Sequence, residues 1–226
     1  SYFIFKNFLN FAITLNQIKK METTQRHIID EEVQWDKTKT IVSKTDIYGT
    51  ILYANDVFSN TCEYSTIELV GEPHNIIRHP DMPKVAFKVL WDALKKGENF
   101  HAIVKNLTRT GRYYWVITDF TIDRDEEDKI VGYTARRKAV PDGVVKKIKP
   151  IYKTLLDIEK LKGEKASEMY FQAYLKEEVG KTYNEFVVDL FNEELSKEEE
   201  AEKVKIEANP LKKGLNWFFF GETNPK

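Results

Sequence analysis

Apolar positions change their spacing several times along this chain, and each change marks a new element. Residues 40–45 and 50–54 alternate apolar with polar positions on either side of Asp46-Ile47-Tyr48-Gly49, which predicts a β-hairpin. Short helices are expected over 55–62 and 65–70. In the second, Ser65 and Glu68 have capping-box spacing and Gly71 fits the C-cap. A longer helix from 84 to 96 follows from Val85, Val89, Leu90 and Leu94, with lysines in its last turn and Gly97 as its stop. Strands are then predicted over 101–107, 113–123 and 129–138, joined by Arg109-Thr110-Gly111 and by an acidic run at 123–128. Two strands, helices, then three strands predict an α+β unit: an antiparallel sheet with helices laid over one face.

The flanks read differently. Residues 28–39 are charged and predicted helical, with Ile29, Val33 and Trp35 as contact positions. From Gly143 onward the chain is helical almost to its end. Val144, Ile148, Ile151, Leu155 and Ile158 form a short a/d seam. Pro150 lies inside it, so a kink or a restart is expected there. Lys162-Gly163 closes this helix. Two more carry Tyr170, Phe171, Tyr174, Leu175 and Val179, then Tyr183, Phe186, Val187, Leu190, Phe191 and Leu195. Residues 193–207 are acid-rich, with little to bury. At the ends, the apolar segment 2–18 is open to three readings: a packing helix or dimer contact, a weak interfacial membrane helix, or an extension upstream of a start at Met21. Trp217-Phe218-Phe219-Phe220 is expected to fold back on the core or on a partner chain.

Composition narrows the classes. Hydrophobic residues at 42% and aromatic residues at 13% are enough for a core, while 35 basic and 36 acidic residues leave no global field for nucleic acid. The single cysteine, Cys62, excludes an internal disulfide and a CxxC metal site, and a reducing compartment, the cytoplasm, is the simplest expectation. No apolar run is long enough for a transmembrane helix, so membrane contact is at most peripheral.

The densest chemistry lies in Asn75-Ile76-Ile77-Arg78-His79-Pro80-Asp81-Met82-Pro83. A guanidinium, an imidazole and a carboxylate fall close together, and two prolines exclude the interior of a regular helix. A stiff polar loop between apolar segments suits a ligand site. The alternative is a surface pair of Arg78 with Asp81 ahead of an ordinary helix start.

The order of elements is that of a PAS domain, and several motifs are specific to one branch. Tyr53-Ala54-Asn55-Asp56-Val57-Phe58 resembles the signature after the second strand of PAS sensors. Gly71-Glu72-Pro73-His74-Asn75 continuing through Pro83 resembles the flavin-binding PAS domains of bacterial aerotaxis (energy-taxis) receptors, as do Ile103-Val104-Lys105-Asn106, Gly111, Tyr113-Tyr114-Trp115-Val116, Gly132-Tyr133 and Arg136. The likeness covers about 40–139. It implies a five-stranded PAS fold, non-covalent FAD between sheet and helices, and redox state as the signal. The residues it implies for flavin binding are Arg78, His79, Asp81 and Asn106, with Asn55 and Trp91 as further lining positions. Phe100 stands where the family often has tryptophan, and would be a smaller stacking ring.

The resulting division is 1–39 as an N-terminal helical segment, 40–140 as the sensor domain and 141–226 as a helical output or interaction region. The family's receptors continue into membrane anchors and a methyl-accepting helix. This chain carries neither, so the expectation is a soluble sensor. It would be a homodimer through its flanking helices, acting on a chemotaxis receptor or other signalling partner. An apolar ring needs flat walls (Trp91, Phe100, Phe120) and an amide that donates and accepts, a role for Asn106. Arg78 can face pyrophosphate or charge on a reduced flavin, Asp81 can orient its neighbours, and His79 can titrate. Trp91 and Asn106 also have ordinary structural readings, as core and as a strand end. His74 reads as a local hydrogen-bonding residue. Other classes stay open: a cofactor-free interaction module, or a haem sensor using His79 or His74. No nucleophile–base set or carboxylate pair stands out, so no enzyme activity is expected.

Overall fold

The computed structural model describes residues 26–208. The apolar segment 2–18 and the Trp217-Phe218-Phe219-Phe220 tail lie outside the described residues.

Five strands form one sheet: β1 (Ile41–Asp46), β2 (Ile51–Ala54), β3 (Phe100–Leu107), β4 (Tyr113–Arg124) and β5 (Ile130–Ala139). Their order is β2-β1-β5-β4-β3, with every neighbouring pair antiparallel. The hairpin turn forms because the Asp46 carboxylate accepts from the backbone N–H of Tyr48 and of Thr50, at 2.8 and 2.9 Å. Gly49 then takes a φ of +85°, which suits glycine.

Between β2 and β3 run α1 (Asp56–Cys62), α2 (Thr66–Leu69), a 3₁₀ turn (His74–Ile77) and α3 (Lys84–Lys95). The predicted capping box at Ser65 and Glu68 is present. One face of α3 carries Val85, Ala86, Leu90, Ala93 and Leu94 into the core, opposite Ile103, Val104 and Val116 of the sheet. Lys96 caps it, and Gly97 turns the chain at φ +83°.

After β5 come α4 (Asp142–Lys162), α5 (Glu164–Tyr174), a π-helical turn (Leu175–Val179) and α6 (Tyr183–Ala208). These helices wrap the β3 side of the domain. Tyr152 stacks on Trp115 and donates its hydroxyl to the Ile103 carbonyl at 2.7 Å. Tyr183 bonds the same Tyr152 hydroxyl and stacks on Phe100. The Asn184 side chain accepts from the His101 N–H at 2.7 Å, and the Met82 sulfur from that of Lys105 at 3.2 Å. The outer backbone groups of β3 therefore find partners within the chain.

Three expectations need correction. Residues 28–39 are not helical. Ile29 N–H donates to Gly111, Tyr113 N–H to Glu31 and Val33 N–H to Tyr113, giving a short parallel bridge beside β4. Those backbone groups pair with a loop instead of with each other. Gly111 permits the approach, since a Cβ there would sit 1.8 Å from the His27 carbonyl oxygen. Pro150 does not restart α4, which runs as one helix from Asp142 to Lys162. Val144 and Ile148 before the proline, and Tyr152 and Leu155 after it, are all buried, so packing holds both halves in one helix. The seam itself faces inward. Val144, Ile148 and Leu155 are core residues of this chain, and Tyr152 is buried where Ile151 was expected to be.

Candidate functional site

A cavity of about 320 Å³ lies between the inner face of the sheet, α3, the 3₁₀ turn and the hairpin turn. Its walls are mostly apolar. Phe87, Leu90, Trp91 and Leu94 come from α3, Val104 from β3, Phe120 from β4, and Tyr133 and Ala135 from β5. Trp91 and Tyr133 meet edge to face, with centroids 5.6 Å apart. The helical spacing of the α3 residues and the period of two along β5 bring these side chains to one surface.

Polar groups enter at two places. The first is Asn106, held at the end of β3 by an isolated antiparallel bridge to Arg78. Its amide nitrogen is buried without a hydrogen-bond partner. The buried Tyr114 hydroxyl is within side-chain hydrogen-bonding reach of Asn106, yet the contact falls outside normal hydrogen-bond geometry. Such a donor next to an empty volume is ready for a ligand acceptor. Arg78 itself lies over the Phe87 ring at 4.3 Å and donates to the Met82 carbonyl at 3.2 Å.

The second polar group is a cluster on β5 and β1. Arg137 donates to Ser43 Oγ at 3.0 Å and faces His74 Nε2 at 2.8 Å. Ser43 Oγ and His74 Nε2 are 3.1 Å apart. His74 stacks on Phe58, and the Arg137 guanidinium lies 5.4 Å from the same ring. Burial, then the Arg137 charge, push His74 down to about 3, so it is neutral and its Nε2 accepts from arginine. Burial also lowers Arg137 to about 10.

Of the residues singled out from the sequence, Arg78, Trp91 and Asn106 line the cavity, with Phe120. Asn55 does not. Its side chain caps α1 by accepting from Phe58 N–H, accepts from Val42 N–H and donates to the Thr40 carbonyl, all within 3.0 Å. Phe100 is also elsewhere, buried against Tyr183. His79 is buried behind the loop. Its Nδ1 accepts from Asp81 N–H at 3.0 Å, and its ring meets Tyr113 edge-on. Burial and then Lys105 push it down to about 4. Asp81 is exposed and pairs with Lys105 at 2.7 Å. Burial opposes its ionisation, but the bond and charge of Lys105 prevail and its carboxyl is held below the usual range. His79 and Asp81 therefore shape the loop instead of lining the cavity.

Sequence reasoning missed Arg137 and underrated His74. A signal for Arg137 existed: Tyr133, Ala135 and Arg137 alternate along β5, so a strand reading puts all three on one face. The neighbouring Arg136 drew attention instead, and it is exposed.

Sheet order, short helices and cavity together define a sensor-type domain, and comparison supplies the class. Residues 51–136 match the family model described as PAS fold. The chain contains a PAS domain. It is 43% identical over 116 residues to the aerotaxis receptor of Escherichia coli, a match covering 51% of this chain and 23% of the receptor. It is 28% identical over 96 residues to the biofilm dispersion protein BdlA of Pseudomonas aeruginosa, covering 41% of this chain and 23% of that protein. The match thus spans less than a quarter of either relative's length. A solved light-oxygen-voltage domain, studied with a flavin analogue, superimposes with a TM-score of 0.46 at 20% identity over 49% of this chain and 84% of its own. Among the described residues no helix is long and apolar enough to cross a membrane.

Proposed function

We propose that this chain is a signal-transduction sensor that binds FAD in the PAS cavity and reports redox, oxygen or energy state to a chemotaxis-type partner. The observation that carries this reading is the buried, unpartnered Asn106 amide in a cavity with flat aromatic and aliphatic walls. The identity to the aerotaxis receptor spans half of this chain and supports it.

The residues fit an isoalloxazine ring. Trp91, Phe87, Phe120 and Leu90 supply faces, and Asn106 supplies a donor and an acceptor at a polar edge. A volume of about 320 Å³ suits the ring system but not a whole dinucleotide. The remainder has two ways out. One is a cleft with Tyr48, Trp91, Tyr133 and Lys95, and the other a cleft with Arg26, Arg78 and Lys84. Flavin, when bound, supplies reversible electron transfer. The chain holds the ring, excludes water with α3 and the hairpin turn, and links Asn106 to the motif loop through the Arg78 bridge. No catalytic role is assigned, and a soluble, cytoplasmic homodimer is the working assembly.

A haem reading has less support. His79 does not line the cavity, and the His74 Nε2 already faces Arg137 and Ser43. Absorbance of the purified full chain, alone and after incubation with FAD, tests the proposal. Flavin bands that bleach with dithionite are expected. A protein that stays colourless after FAD addition refutes it, and a Soret band supports haem instead.

A further inference from the structure

The feature that the flavin reading does not use is the charge on Arg137. This residue is 2% exposed, lines the cavity, and has only neutral partners: Ser43 Oγ at 3.0 Å, His74 Nε2 at 2.8 Å and the Ala135 carbonyl at 3.4 Å. Among the described residues it has no ion pair. The other groups acting on it electrostatically are the Tyr114 hydroxyl and the Cys62 thiol, both protonated because burial raises them. A buried cation without a counter-ion is costly, and proteins retain one where something offsets the cost. The other buried cation of the sheet shows the contrast: Lys105 reaches out to Asp81 at 2.7 Å.

We propose that Arg137 is the charge-selecting residue of this cavity: it favours a flat ligand that carries negative charge, or gains it on reduction, at the edge facing β5. His74 and Ser43 act as positioning residues. They satisfy guanidinium N–H groups with neutral acceptors, so the positive charge stays available to the ligand. With Asn106 donating from β3, the cavity then presents an amide on one strand and a guanidinium on another. This extends the flavin reading but does not depend on it, because the charge preference is a property of the cavity itself.

The test has three measurements on the full chain. In the first, the ligand-free Arg137→Met variant is compared with wild type by thermal unfolding. Equal or higher stability is expected, since an unpaired buried charge is removed. A large loss would assign Arg137 to holding Ser43 and His74, and would overturn the proposal. In the second, two uncharged-versus-anionic probes of one shape, naphthamide and naphthoate, are titrated into both proteins. Wild type should prefer naphthoate, and Arg137→Met should lose that preference by about tenfold or more, while Arg137→Lys keeps most of it. Equal preferences in wild type and Arg137→Met overturn the proposal whether or not flavin binds. In the third, where FAD binds, Arg137→Met should weaken reduced relative to oxidised FAD by about tenfold, a midpoint lower by about 30 mV for a two-electron couple. An unmoved midpoint in Arg137→Met overturns the redox half of the proposal. Failure of wild type to bind FAD refutes the flavin reading alone, and the probe titration still decides on Arg137.

Discussion

Arg78 and Asn106 pair through their backbones in an isolated antiparallel bridge, which ties the motif loop directly to the end of strand β3 at the cavity. Asn106→Ala removes the unpartnered amide donor at the cavity while leaving that bridge. We expect flavin affinity to fall by about tenfold to a hundredfold, on the scale of one to three kcal/mol for a lost buried hydrogen bond, with the fold kept. Arg78→Ala should also lose flavin, since it removes the guanidinium from the Phe87 face. Fluorescence titration with FAD and circular dichroism together check both. Full retention of flavin in both variants would contradict the site.

Asn55→Ala gives the opposite pattern. It deletes the N-cap bond of α1 and the two bonds that tie Asn55 to Thr40 and Val42 at the start of β1, and should cost about 1–3 kcal/mol of stability. Affinity for FAD should stay within about twofold of wild type at a temperature where both are folded. Urea unfolding and the same titration separate the two effects.

Buried His79 and half-buried His74 set an acid limit. His74 and His79 are held neutral at about 3 and about 4, whereas a free imidazole titrates near 6.5. Below about pH 6.5 the unfolded chain takes up protons that the folded chain excludes, so stability falls as pH falls. The limiting slope is about 1.4 kcal/mol per pH unit for each imidazole, and it ends near the folded values. Above pH 6.5 neither histidine contributes a slope. Denaturant unfolding across this range should show the decline, and His79→Gln should reduce it. A slope unchanged in that variant would remove His79 from the account.

Tyr152 and Tyr183 join the C-terminal helices to β3. Tyr152→Phe leaves the Ile103 carbonyl without its side-chain donor and removes one of the two partners of the Tyr183 hydroxyl, and should cost about 1–3 kcal/mol. Tyr183→Phe keeps the Tyr152 bond to the Ile103 carbonyl but loses the Tyr183 hydroxyl's own contact with the Ile103 backbone, and should cost about 1 kcal/mol. Hydrogen exchange at β3 backbone amides, compared between the two variants, is the discriminating measurement. Equal protection in both would mean that the Ile103 contact carries no weight.

The central domain was legible because each of its elements has a local signal. The Asp46 turn, the Ser65 and Glu68 box, the α3 face and the Gly97 stop are each written in residues a few positions apart. The flanks were less legible, since their structure depends on distant partners. Residues 28–39 carry a helical pattern but take their hydrogen bonds from the loop at Gly111 and Tyr113. The seam at Val144 and Ile148 has heptad spacing, yet the surface it covers belongs to its own domain. Of the residues expected from motif and chemistry together, Arg78, Trp91 and Asn106 line the cavity. Asn55, His79, Asp81 and Phe100 were drawn in by the same resemblance, although the side chain of each is engaged outside the cavity. Arg137 has no motif around it, and only its register on β5 gives it away.

The closing of β3 by Asn184, Tyr152 and Met82 has a consequence for anyone who isolates the sensor domain. A fragment ending after β5 would keep the Met82 contact but strip the other two, leaving the His101 N–H and the Ile103 carbonyl on an open strand edge. Phe100 and Trp115 would lose their covering rings at the same time. An edge of that kind is a template for strand pairing between molecules. The helical extension covers this edge, and the short fragment is expected to self-associate more than the longer chain at equal concentration, which light scattering checks.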